Sequence, residues 1–437
     1  MTAPADFIEL NDNGAWSWFM DERAIVHEGK LLVGSVRSTD AHDHQKDDDP
    51  DWGNIELAVH DLQTGETKVV VLHRHLEQDD HDGPALHVRP DGRVLAVYTQ
   101  HSQERKVYWR VSEPGDLTQW GPIKELETPG EDAPPFGGNN VTYSNLFQPS
   151  AEGGTLYNYF RSVLHQQNWM WSDDNGDSWN YGGMFLKGHQ GYAPYFKYAT
   201  NGRDRIHFVG TEDHPRNFDN SVYHGFIANR VIHHSDGRKF GPLSTTTEKS
   251  GDIWDLTCVF RGDADNVAWV VDLHLDGDER PVCVFSVQKD GRDLPKGQGG
   301  MDHRYHYARW DGERWHQHEM CFGGTRLYPD EDDYAGGIAI NPDDVADVVV
   351  STDADPVTGQ PLISSADGQR HHELFRGATH DGGATWTWTA ITQNSDADNL
   401  RPIIPHWPGD RTALVWMRGK YEHNRGPWNT RVVARVL

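Results

Sequence analysis

Apolar positions along this chain come in short bursts. "KLLVGSV", "IELAVHDL", "TKVVVLH", "RVLAVYTQ", "NVAWVVDLH", "PVCVFSV", "DVVVSTD" and "TALVWMRG" are each bounded by turn chemistry such as "RPDGR", "LQTGE", "TNGRDR", "LDGDERP" and "HDGGATW". Runs of this length, rich in Val, Tyr and Trp and separated by Gly, Pro, Asn and Asp, read as strands joined by tight turns. No segment sustains the 3.6-residue period of an amphipathic helix. The pattern predicts an all-β chain, and no linker-like stretch divides it, so a single domain over residues 1–437 is expected.

Two stretches sharpen the architecture. "SDDNGDSW" (Ser172 to Trp179) and "THDGGATW" (Thr379 to Trp386) both fit S/T-x-D-x-G-x-x-W. The pattern resembles the Asp box on the outer hairpins of sialidase-like β-propellers. The Asp and Ser/Thr side chains can bond turn amides, Gly permits positive φ, and Trp packs on the sheet beneath. "SEPGDLTQW" and "WDGERW" look like degenerate relatives. For 437 residues, seven blades of about 62 residues each are expected, longer than usual for a propeller. Binding residues should then come from several blades and converge on the central depression.

Composition removes some functions. The formal charge of −27 argues against binding a nucleic-acid backbone. No apolar run approaches the roughly 18–20 residues that span a bilayer. The start, "MTAPADFIELNDNG", has neither a basic n-region nor an apolar h-region, which predicts a cytoplasmic chain unless a signal has been removed. Three cysteines, Cys258, Cys283 and Cys321, are too few and too scattered for a disulfide framework.

"DDHDGPALHVRPDGRVLAVYTQH" carries His81 and His101 at the two ends of an expected hairpin. Antiparallel pairing about "RPDGR" would bring both imidazoles to one rim. The bland reading is two exposed loop histidines among 26.

From "NDNGAWSWFMDERAIVHEGKLLVGSV" through this hairpin, "VTYSNLF…LYNYFRS", "RIHFVGTEDHP", "HRYHYARWDGERW" and "FRGATHDGGATW" to "ALVWMRGKY", nearly the whole chain resembles BNR-type propeller polysaccharide lyases. The relatives meant are the ulvan lyases and the propellers that cut rhamnose–glucuronate linkages. The resemblance implies β-elimination on an acidic polysaccharide or oligosaccharide. It places the catalytic set on His81, His101, Tyr143 in "VTYSN" and Arg161 in "NYFRS". Such chemistry needs these types: a guanidinium to neutralise the uronate carboxylate, a neutral imidazole as base, and a tyrosine or second histidine as acid. Arg110, His214 and His224 are further candidates for substrate contact. Arg401 in "NLRP" is expected to buttress blade closure rather than bind sugar. The chemistry requires no cofactor. A structural calcium or zinc is compatible with such propellers, and Cys258, His274, Cys283 and His207 are the candidate zinc ligands, although their spacing matches no compact motif. Two other readings stay open: a propeller glycoside hydrolase of rhamnosidase type, and a non-catalytic carbohydrate-binding propeller.

Overall fold

The computed structural model describes residues 7–40, 48–131, 138–189, 194–243, 250–291, 294–295, 297–329 and 331–437. Among these residues the strands form seven sheets arranged as the blades of a propeller. The innermost strands, in chain order, are Ala24–His27, Ala85–Val88, Thr142–Phe147, Phe196–Thr200, Val267–Leu275, Ile338–Asn341 and Asp398–Ile403. Within each blade, successive strands pair antiparallel and step outward from the axis.

Blades packed in a ring bury both faces of their middle strands. This explains why the apolar runs are continuous rather than alternating. All six residues of Val94–Thr99 are buried, as are all eight of Pro281–Gln288. The ring is closed by a strand from the other end of the chain. Ile8–Asn11 pairs antiparallel with Trp428–Val436, setting Ile8 opposite Ala434. The last blade thus takes three of its strands from residues 398–436 and its outermost strand from Ile8–Asn11.

Both Asp boxes fold as their residues dictate. Asp174 accepts from the Ser178 amide at 2.8 Å and from the Ser178 hydroxyl at 2.6 Å, while the Gly176 amide donates to Ser172 Oγ at 2.7 Å. Asp381 repeats this with Thr385 at 2.9 and 2.7 Å. Each box lies on the hairpin between a blade's third and fourth strands.

The axis itself is filled. The segment Gly14–Asp21, which follows the closing strand, is buried throughout. Trp16 Nε1 donates to the Arg401 carbonyl at 3.3 Å and Trp18 Nε1 to the Val270 carbonyl at 3.0 Å. Asn145 donates to the Phe19 carbonyl at 3.2 Å, and Lys197 donates to the Trp18 carbonyl at 2.8 Å. One strap of chain is thus tied to four blades, and its rings form a floor beneath the face where the innermost strands begin.

Candidate functional site

The hairpin that carries the two histidines folds with Ala85–Val88 against Val94–Thr99, and the turn between them is closed by Arg89 and Arg93. Asp79 caps a single turn of 3₁₀ helix, Asp80–Asp82, by accepting from the His81 amide at 3.0 Å. The strap anchors this turn through Ser17, whose amide donates to the Asp80 carbonyl. The His81 and His101 rings consequently stack at 3.9 Å between centroids, with only 16° between their planes.

One carboxylate serves both rings. Asp79 is wholly buried and meets His81 Nδ1 at 2.5 Å and His101 Nδ1 at 2.7 Å. With each Nδ1–H directed at Asp79, each Nε2 faces the other way. Two stacked imidazoles cannot both be charged cheaply, and the surroundings distinguish them. Burial opposes charge on His81, but Asp79 and Asp80 overcome it and raise the ring to about 9. Burial also opposes charge on His101; Asp79 only partly offsets this, and charged His81 and Arg161 add to it, so the ring is lowered to about 3. Asp79 itself is held well below the usual carboxylate range by the two rings despite its burial. At neutral pH the pair is therefore one imidazolium, His81, over one neutral imidazole, His101.

His81 is locked from behind. Its Nδ1 is also 2.8 Å from Asp80 Oδ1, and Asp80 is in turn gripped by the Arg401 guanidinium and by the Tyr421 hydroxyl at 2.5 Å. Arg401 also donates to the Trp16 carbonyl and lies over the rings of Trp18 and Tyr421. It ties the last blade to the histidine turn and to the strap, in the buttressing position expected of it.

The neighbouring blade supplies the other two residues. Thr142 lies opposite Arg161 in register, and a bulge between Thr142 and Asn145 turns Tyr143 toward the axis with φ of 70°. A left-handed tyrosine is strained, and such strain persists only where the surroundings over-determine it. The Tyr143 ring is 5.6 Å from His81 and 5.6 Å from Phe19 of the strap. Its hydroxyl makes no hydrogen bond among the described residues, and burial raises it well above its ordinary value, so it stays protonated.

Arg161 is 5% exposed. Its Nη2 donates to Thr142 Oγ1 at 3.1 Å and Ser102 Oγ at 3.3 Å, and its Nη1 to the Tyr195 hydroxyl at 3.3 Å. It sits over the Tyr143 and Tyr195 rings at 5.1 and 5.7 Å. Every one of these partners is neutral, and no carboxylate among the described residues forms an ion pair with it. A buried guanidinium without a counter-charge is expensive, and the arrangement is that of a receptor for an anion brought from outside.

His214 lies beside this cluster. Its ring is 5.5 Å from Tyr195 and 4.8 Å from Trp269, and Arg216 Nη2 meets its Nε2 at 2.8 Å. Arg110 and His224 do not reach the site. The Arg110 guanidinium donates to the carbonyls of Gly121, Leu72 and Trp120 at 2.7, 2.9 and 2.8 Å, sealing a seam between the first two blades. His224 is fully buried in the fourth blade. It bonds His207 at 3.1 Å and Ser235 at 2.7 Å, with Trp315 packed 5.1 Å away. Both correct the sequence expectation. Each satisfies buried polar groups of the blades, a demand that a sequence motif does not distinguish from ligand binding.

The expected zinc ligands do not converge either. Cys258 pairs with Tyr223 in the fourth blade and Cys283 with Leu273 in the fifth. Donor atoms do gather within 4.8 Å in two other places among the described residues, Asp79–His81–His101 and His214–Glu331–Asp333. In the first, the nitrogens sit on Asp79 oxygens at distances suited to shared protons. In the second, Arg216 already meets both His214 and Glu331, the latter at 2.7 Å, and supplies the cation.

Sequence reading missed Asp79, Tyr195, Tyr421 and the strap. The one visible signal was the acidic run "QDDHD" directly beside His81.

A model of BNR repeat-containing family members matches residues 46–321. Searching curated proteins gives no match. Among solved structures, an ulvan lyase bound to -[GlcA(1-4)Rha3S]- superposes with a TM-score of 0.67 at 15% identity, covering 97% of this chain and 94% of that one. A second ulvan lyase structure gives 0.66 over the same shares and at the same identity. The BP39L lectin from Burkholderia pseudomallei gives 0.50 at 11% identity, covering 93% of each chain. At such identities the likeness is one of fold. No helix among the described residues is long and apolar enough to cross a membrane.

Proposed function

We propose that this chain, which belongs to the BNR repeat-containing family, is a polysaccharide lyase that cleaves beside a uronate by β-elimination. The observation that carries the reading is Arg161: a buried guanidinium with neutral partners only, placed over Tyr143 and next to a stacked histidine pair. A uronate carboxylate supplies the missing counter-charge. Once neutralised, it acidifies the hydrogen on C5, because the electrons left behind can spread into the carboxyl group.

The remaining roles follow from protonation. Neutral His101, its Nδ1–H given to Asp79, takes the C5 proton on Nε2. Its basicity is low in the empty site and rises when the substrate carboxylate enters beside it and offsets Arg161. Charged His81 adds a second fixed cation for the developing enolate oxygen. The C4–O bond breaks as the C4=C5 double bond forms. Protonated Tyr143 gives its proton to the departing O4, and His101 returns the proton it took to the phenolate, closing the cycle.

Hydrolysis is less well served. It ordinarily uses two carboxylic groups flanking the sugar. Asp79, Asp80 and Asp82 are all 0% exposed, whereas His81 and His101 keep 4% and 9%. Two of those carboxylates are committed to cations. The fold likeness to a lectin leaves catalysis open, so the test must separate three outcomes. Purified protein is incubated with ulvan, gum arabic and glucuronan. Elimination produces an unsaturated uronate that absorbs ultraviolet light, hydrolysis produces reducing ends without it, and a binding module produces neither. Loss of the absorbance in His101→Ala and Arg161→Lys, in protein that remains folded, supports the assignment; retention of wild-type rates overturns it.

A further inference from the structure

A cavity opens beside His214, which packs against the Tyr195 partner of Arg161, and its chemistry bears on which sugar lies next to the uronate. Its volume is about 340 Å³, and its wall includes Arg216, Phe218, Asp219, Leu294, Asp332 and Asp333. Side-chain contacts link its wall to the proposed site. Arg161 donates to Tyr195, Tyr195 packs edge-on against His214 at 5.5 Å, and Arg216, which lines the cavity, bonds His214.

The two regions differ in sign. At Arg161 the protein presents a guanidinium without a carboxylate partner among the described residues. The cavity presents the reverse. Its cation Arg216 is engaged by Glu331 at 2.7 Å, and Arg326 engages Asp332 at 2.7 Å. Asp333, 3.7 Å from His214 Nδ1, and the exposed Asp219 bring the carboxylates of the wall to four, with Glu331 and Asp332, against the single guanidinium of Arg216. A sugar seated here meets the Phe218 ring, the Leu294 side chain and hydrogen-bonding carboxylates, which accept from hydroxyl groups but repel anions.

We propose that this cavity is the neighbouring sugar subsite and that it selects an uncharged sugar, rejecting one that carries a sulfate or a second carboxylate. The proposal rests on the lyase reading for its reaction. It narrows the substrate to polymers in which a uronate alternates with a neutral, unsulfated residue. It also relieves the long-range conflict between a polyanionic polymer and a chain of formal charge −27, since such a polymer carries fewer charges to be screened.

The experiment compares ulvan with the same polymer after chemical desulfation, and with glucuronan, by two readouts: elimination rate and binding measured by affinity electrophoresis. The desulfated polymer should be preferred in kcat/KM by roughly tenfold or more, as expected when like charges no longer face each other across a contact. Asp219→Lys, a change at an exposed position of the cavity wall, should shift the preference toward the sulfated polymer, lowering kcat/KM for the desulfated one as the hydroxyl acceptor is lost and raising it for the sulfated one. Equal handling of the sulfated and desulfated polymers overturns the subsite. If no polymer yields the ultraviolet product, the lyase reading fails by itself. The binding preference and its shift in Asp219→Lys then decide the subsite: their presence upholds it and their absence refutes it.

Discussion

Replacing Asp79 by Asn keeps the shape of the histidine turn and removes the charge that both rings share. The consequence can be worked from the site. His81 stands at about 9 against an ordinary 6.5, a preference for the charged ring of roughly 3 kcal/mol. Asp80 supplies part of this, so losing the Asp79 charge removes about 2 kcal/mol. The amide offers one oxygen to two Nδ1–H groups, which leaves a buried donor facing an NH₂ at a further cost of about 1–3 kcal/mol. A loss of roughly 3–5 kcal/mol is therefore expected, in the range measured when buried ion pairs are broken. The pH dependence follows from the same two rings. His81 is raised, so its contribution is complete below 6.5 and disappears as pH rises toward 9. His101 is lowered to about 3, so its contribution is present above 6.5 and disappears as pH falls toward 3. The wild-type pair thus favours the fold most near pH 6.5. Urea denaturation across pH 4–9, with the His81 titration followed by NMR, reads both effects. In Asp79→Asn the His81 midpoint should fall toward neutrality, and the decline in stability between 6.5 and 9 should flatten. A variant within about 1 kcal/mol of wild type whose His81 still titrates near 9 would refute the shared-carboxylate account.

Other expectations follow from the same geometry. Tyr143→Phe removes a hydroxyl that has no protein partner among the described residues, so stability should change little. Elimination should nevertheless slow by about 10²–10⁴-fold, read as a fall in kcat with KM nearly constant. Elimination by the wild-type protein should decline as pH rises past about 9, where His81 loses its proton, and that limb should move to lower pH in Asp79→Asn. Arg401→Met strands Asp80 without its guanidinium and should cost about 3–5 kcal/mol; unchanged stability would deny the buttress. Asp381→Ala removes bonds to Thr379 and Thr385 on an outer hairpin and should lower stability by about 1–3 kcal/mol while leaving the elimination rate unaltered.

Local patterns were legible in the sequence because their physics is local. Strands alternate with turns at short range, and an Asp box satisfies itself within eight residues. His81 and His101 could be joined on paper because a two-stranded hairpin returns to its start, whatever the rest of the chain does. What could not be read depends on ring closure. Arg401 reaches Asp80 across 321 residues, and Trp16 reaches the Arg401 carbonyl across 385. Neither pairing has a periodicity or a spacing to betray it. Arg110 and His224 fail for a related reason. A propeller whose strands pack blade to blade leaves carbonyls and ring nitrogens at its seams, and arginine or histidine placed there for backbone satisfaction has the same sequence signature as one placed for a ligand. The distinguishing observation is the partner. Arg110 ends on four carbonyls, His224 on a histidine and a serine, and Arg401 on a carboxylate. Arg161 alone of these four ends on hydroxyl groups only, so its charge meets no carboxylate among the described residues, and an incoming carboxylate is the group that would match it.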